Sequence, residues 1–312
     1  MKKIYTFLSE YLRTELKIKY LFCLLIFLLP VVTVNYYYNF ENNILASYKS
    51  QAYYFLMCLL YYGFVYWYAV LLYLFLYKKI HLLKELRFLL LILLFPSILA
   101  FDESFTWHKL WVAEIEDHNL KYYVKNTLNH AIMFITYFLP IVFYYFFLER
   151  ENKNFYGLAP SKWDIKPYLF MLFVIMMPLI CMASFLPSFQ ESYPIYAFSK
   201  IKDDLPGEYW QQILLFEGVY GLDFVYVELL FRGIMIHTMY RYMGYECILA
   251  MATLYCTYHF GKPLGETLSS FVGGTVLGIL SLRTRSLYGG IIIHIGIAWM
   301  MDATSLLQKI FR

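Results

Sequence analysis

Ala52-Tyr-Tyr-Phe-Leu-Met-Cys-Leu-Leu-Tyr-Tyr-Gly-Phe-Val-Tyr-Trp-Tyr-Ala-Val-Leu-Leu-Tyr-Leu-Phe-Leu-Tyr77 contains no charged residue, and the run stops at Lys78-Lys79. A helix crosses the hydrocarbon core with ~20 mostly apolar residues, so this stretch is long enough to span a bilayer and is closed by basic anchors. Working outward, the same reading applies from Tyr20 to Tyr38, from Leu86 to Phe101 (which includes Pro96), from His130 to Leu148 and from Pro167 to Leu186. Four further apolar stretches follow, roughly 213–238, 247–260, 268–282 and 287–307. The expectation is an all-α, polytopic transmembrane helix bundle of eight or nine spans. Composition agrees: 61% of the 312 residues are hydrophobic and 15% charged, where a soluble domain carries ~25% charged residues.

Lys and Arg are concentrated in short connections. Lys78, Lys79, Lys84 and Arg87 flank one, Arg150, Lys153, Lys162 and Lys166 another, and Arg283 and Arg285 a third. The segments Asp102 to Asn129 and Pro187 to Trp210 mix in acidic residues and read as extramembrane or interfacial loops. The basic bias places the N-terminus in the cytoplasm; the expected location is the cell's inner (plasma) membrane, with membrane lipid as its surroundings. No long basic run points to nucleic acid. The five cysteines lie in apolar stretches without CxxC pairs and read as small buried hydrophobes. Two parts are expected: residues 1–150 as a scaffold of transmembrane helices, and residues 151–312 as a core that holds nearly every ionisable residue found within a span.

Those ionisable residues are few: Asp223, Glu228 and Arg232 in one helix, His259 at the end of the next, and His294 and Asp302 in the last. Each costs at least ~2.5–3.5 kcal/mol in hydrocarbon, so each is part of a site or half of a structural pair. Glu228 and Arg232 are four apart and pair within one helix face; His294, Ala298 and Asp302 share another. Two histidines with two or three carboxylates suffice to activate a water, either through a carboxylate base with histidine help or through a Zn²⁺ held by His259, His294 and Glu228.

Val227-Glu-Leu-Leu-Phe-Arg-Gly233 resembles the EExxxR motif of the CPBP intramembrane proteases, also described as CAAX prenyl protease 2, Abi or lysostaphin-resistance-protein-A-like proteins. Tyr255-Cys-Thr-Tyr-His259 is similar to the second family motif, and His294-Ile-Gly-Ile-Ala298 to the third, HxxxN or HxxxD. The connections Gly274-Thr-Val-Leu-Gly-Ile-Leu280 and Arg283-Thr-Arg-Ser-Leu-Tyr-Gly-Gly290, and the lead-in Tyr156-Gly-Leu158, fit as well. The resemblance implies a hydrolase acting on a membrane-embedded or prenylated peptide, in which the first Glu of motif one and the motif-two His activate water. The third-motif His and its Asn or Asp then stabilise the oxyanion. Transferred by position, Glu228, Arg232, His259 and His294 carry over.

Two positions depart from the pattern: the first Glu is Val227 and the last polar residue of motif three is Ala298. Three explanations stand. The fold is kept with hydrolysis lost, leaving a membrane binding or scaffold protein. Alternatively, the lost groups have moved by one helical turn to Asp223 and Asp302. In the third, Glu228 itself is the base, which requires the helix to rotate.

Overall fold

The computed structural model describes residues 2–49, 53–159, 163–195 and 209–310, and every regular element among them is helical. Lys162 and most of the connection between Pro187 and Trp210 lie outside the described residues. In chain order the main elements are α1 (Lys2–Glu10), α2 (Ile18–Tyr38), α3 (Tyr54–Leu76), α4 (Leu86–Ser104), α5 (His118–Leu148), α6 (Lys166–Ala183), α7 (Tyr209–Glu228), α8 (Ile236–Met243), α9 (Glu246–Tyr258), α10 (Leu264–Thr284) and α11 (Tyr288–Ile310). Helix is the only open-ended answer to hydrocarbon, because it satisfies its backbone groups internally. Pro30 and Pro96 sit inside α2 and α4 without ending them.

Among the described residues, seven helices are long and apolar enough to cross a membrane. Two of the apolar segments read from the sequence are not among them, and the reason is informative. Helix α7 carries Glu217, Asp223 and Glu228 within its apolar run, and α9 has only 13 residues. Helix α9 is an interior element, with every residue from Cys247 to Thr257 buried; α10, α3 and α2 pack around it. Helix α7 lies between α5 and α11. The chain is an integral membrane helix bundle in which α7 and α9 bring polar groups against residues of the apolar spans α5 and α11.

The Asp102 to Asn129 segment is helical rather than a loop. A short helix, His108–Ala113, is followed by the start of α5, where the Asp117 side chain accepts from the backbone N–H of Leu120 and caps the helix. That cap turns a polar stretch into the first turns of a span. The lead-in motif is also tied in place. Gly157 adopts φ +102°, which only glycine tolerates freely, and its carbonyl accepts from Leu287 N–H at 3.0 Å. Tyr288 hydroxyl donates to the Leu158 carbonyl at 3.0 Å. The two motif segments therefore meet at the start of α11. One hydrophobic core runs from Tyr11 to Ile291, so both parts of the chain share an interior.

Candidate active site

Helix α7 continues through a π-helical stretch, Leu229–Met235, into α8. Such widened turns recur at functional sites. Glu228 ends α7 and Arg232 lies within the π stretch, each with a side chain 1% exposed. Arg232 Nη1 stands 3.1 Å from Glu228 Oε1, a charge contact without hydrogen-bond alignment. The same oxygen is 3.1 Å from His294 Nδ1 on α11. His294 Nε2 in turn is 3.0 Å from the hydroxyl of Tyr255 on α9, and the Arg232 guanidinium lies 3.8 Å above the Tyr255 ring. A carboxylate only accepts, so Nδ1 of His294 donates to Glu228 and Nε2 accepts from Tyr255. Gly290 makes room for this: a Cβ there would fall 2.3 Å from Glu228 Oε2. Gly274 likewise lets α10 approach Tyr255 and Arg232.

His259 closes α9 with a different character. Its Nδ1 is 2.9 Å from the Tyr255 carbonyl, which can only accept, so Nδ1 carries the proton and Nε2 keeps a free lone pair. The ring lines a polar cavity of about 530 Å³ together with His130, Asp223, Val227, His294 and Ala298. It also lines a second cavity of about 450 Å³, largely apolar, whose wall includes Leu179, Ile180, Leu277 and Ile293. His259, His294, Glu266, Ile297 and Met301 border both spaces. The two motif departures, Val227 and Ala298, thus face the polar cavity and leave room in it.

The structure brings Glu228, Arg232, His259 and His294 into one region from three separate parts of the chain. Asp223 does not bond His259; it pairs with His130 Nδ1 on α5 through a short hydrogen bond. Asp302 Oδ1 accepts from the backbone N–H of Ile195 at 3.1 Å. The residues that sequence reasoning missed are His130, read only as the first residue of a span, and the Tyr255 hydroxyl. Of the groups that would hold a Zn²⁺ between Glu228, His259 and His294, Glu228 Oε1 and both His294 nitrogens are engaged, whereas Glu228 Oε2 and His259 Nε2 carry no hydrogen bond among the described residues. Among the described residues no three His, Cys, Asp or Glu side chains converge as a metal cage.

No curated protein and no solved structure matches the chain. Residues 209–300, from the start of α7 into α11, match the family model described as Type II CAAX prenyl endopeptidase Rce1-like.

Proposed function

We propose that the chain is an intramembrane peptidase that hydrolyses a membrane-embedded or lipid-linked peptide, with His259 as the base. The observation that carries this reading is the unsubstituted Nε2 of His259 at the border of a polar and an apolar cavity. The polar cavity admits water and a peptide carbonyl. The apolar one offers a berth for a hydrocarbon chain such as a prenyl group. In the reaction, His259 Nε2 takes a proton from water while the oxygen adds to the carbonyl carbon. The tetrahedral species then collapses, the C–N bond breaks and the departing amine receives the proton from His259. His294, bonded to Glu228 and Tyr255 through both ring nitrogens, fixes the helices that border the two cavities, and Arg232 with Glu228 holds it in place.

The test is cleavage of reporter-labelled membrane peptides by purified protein in lipid. His259→Ala should lower kcat by about 10²- to 10⁴-fold, the usual share of a general base, while melting close to wild type. Equal turnover by the two proteins removes the peptidase reading. A second reading, a non-catalytic binding or scaffold protein, is favoured by one observation: Val227 and Ala298 present apolar surface to the polar cavity. Turnover appearing only in Val227→Glu marks that alternative.

A further inference from the structure

His130 lies on α5, outside the Rce1-like segment, yet it reaches into the same polar cavity as His259. Its Nδ1 bonds Asp223 Oδ2, with side-chain exposures of 21% and 11% for the pair. Phe216 and Tyr220 hold the imidazole at ring separations of 5.5 and 5.0 Å. Asp223 Oδ1 is buried and has no hydrogen-bond partner within the described chain, so His130 is the carboxylate's one side-chain partner. A carboxylate on Nδ1 fixes one tautomer and leaves Nε2 as a base of known direction. Asp223 also precedes Val227 by four residues on α7, on the face of the position where the family pattern has its first Glu.

We infer that His130, set by Asp223, is a second water-binding catalytic residue and fills the role left open at Val227. The inference rests on the peptidase reading above. A water between the two imidazoles has two protons and two acceptors. His259 Nε2 removes one proton, and His130 Nε2 accepts a hydrogen bond from the other. The oxygen lone pair is thereby directed at the carbonyl carbon, and the carbonyl π electrons move to its oxygen. Collapse expels the amine, which takes the proton held by His259; the second water proton leaves on the new carboxyl group. Peptide plus water becomes acid plus amine, and both histidines end as they began. Asp223 is a positioning residue, since it acts through His130.

A purely structural role, in which the pair only ties α5 to α7, predicts a different pattern of variants. The experiment uses the full chain in lipid with the same reporter peptides. His130→Gln keeps a donor toward Asp223 and should melt like wild type, yet kcat should fall about 100-fold with KM changed less than about threefold. Asp223→Asn should lower kcat by about 10-fold, with partial recovery in Asp223→Glu. Adding Val227→Glu to His130→Gln should recover at least about 10-fold, and the same change should not rescue His259→Ala. Wild-type kcat in His130→Gln, alongside an inactive His259→Ala, overturns the assignment and leaves the peptidase reading standing. No cleavage by the wild-type chain removes both.

Discussion

The cluster around Glu228 and the cluster around His130 are built from the same groups, an imidazole and a carboxylate on neighbouring helices, but they are finished differently. At Glu228 the carboxylate oxygen is shared by Arg232 and His294, and His294 spends its second nitrogen on Tyr255. Both nitrogens of the imidazole are spent there, and the Glu228 and Arg232 side chains are sealed at 1% exposure, with Glu228 Oε2 left without a hydrogen-bond partner among the described residues. At His130 the carboxylate has one partner, the histidine keeps a nitrogen, and the pair borders a cavity large enough for water. The difference teaches that an intramembrane charge is not one kind of evidence. A cluster whose imidazole spends both nitrogens fixes three helices, whereas one whose imidazole keeps a nitrogen has valence left for chemistry.

The contrast is broken most directly by Arg232→Met. Removing one partner of a buried pair leaves the other charge uncompensated and costs about 3–5 kcal/mol. Equilibrium unfolding in mixed detergent and lipid should show that loss, and the double variant with Glu228→Gln should recover most of it. His130→Gln in the same assay should cost well under about 1 kcal/mol, because glutamine keeps a donor toward Asp223. Equal losses at the two sites erase the distinction. A smaller effect is expected from Gly290→Ala. The new methyl would meet Glu228 Oε2 at 2.3 Å, and an overpacked interior typically loses about 1–3 kcal/mol. Because Glu228 is held from two sides, the strain should also appear as weakened ordering of His294, readable by its ¹⁵N resonances. Unchanged stability and resonances would mean that Glu228 moves freely, contrary to a carboxylate held from two sides. Smaller still, Tyr255→Phe removes a single hydrogen bond to His294 and should cost about 0.5–1.5 kcal/mol, measured by the same unfolding experiment.

The span pattern, the interior polar list and the domain resemblance were legible because they depend on local composition and on helical spacing. Glu228 with Arg232 is an i,i+4 pair that sequence alone brings together, and His259 and His294 were found by their spacing within motifs. Asp302 was misleading for a physical reason. Its four-residue offset from Ala298 puts it on the expected helix face, but a backbone N–H from Ile195, more than a hundred positions away, captures the carboxylate. His130 was invisible for the converse reason: nothing near it in sequence marks it, and its partner is supplied by the packing of α5 on α7. The polar stretch before it was read as a loop because capping by Asp117 is a single hydrogen bond that composition does not register.

Glu41 offers a third state, and with it the mildest test of the comparison. It lies in the short helix Phe40–Asn43 between α2 and α3, outside the spans, and borders the same polar cavity. Burial, reinforced by the charge of Glu103, pushes its carboxyl up to about 7 from an ordinary value near 4.5. A carboxyl raised on folding binds its proton more tightly in the native chain. Its contribution to stability is therefore full below pH 4.5 and is lost as pH rises through about 7. Glu41→Gln removes the ionisable group and should melt higher than wild type at pH 8, with the gap shrinking toward pH 5. Unlike Glu228, Glu41 has no salt bridge among the described residues; like Glu228, it has a buried Oε2 without a hydrogen-bond partner. A melting difference that stays constant from pH 5 to pH 8 would show that some cation reaches Glu41 after all, and that the mouth of the cavity is compensated in the manner of its sealed neighbour.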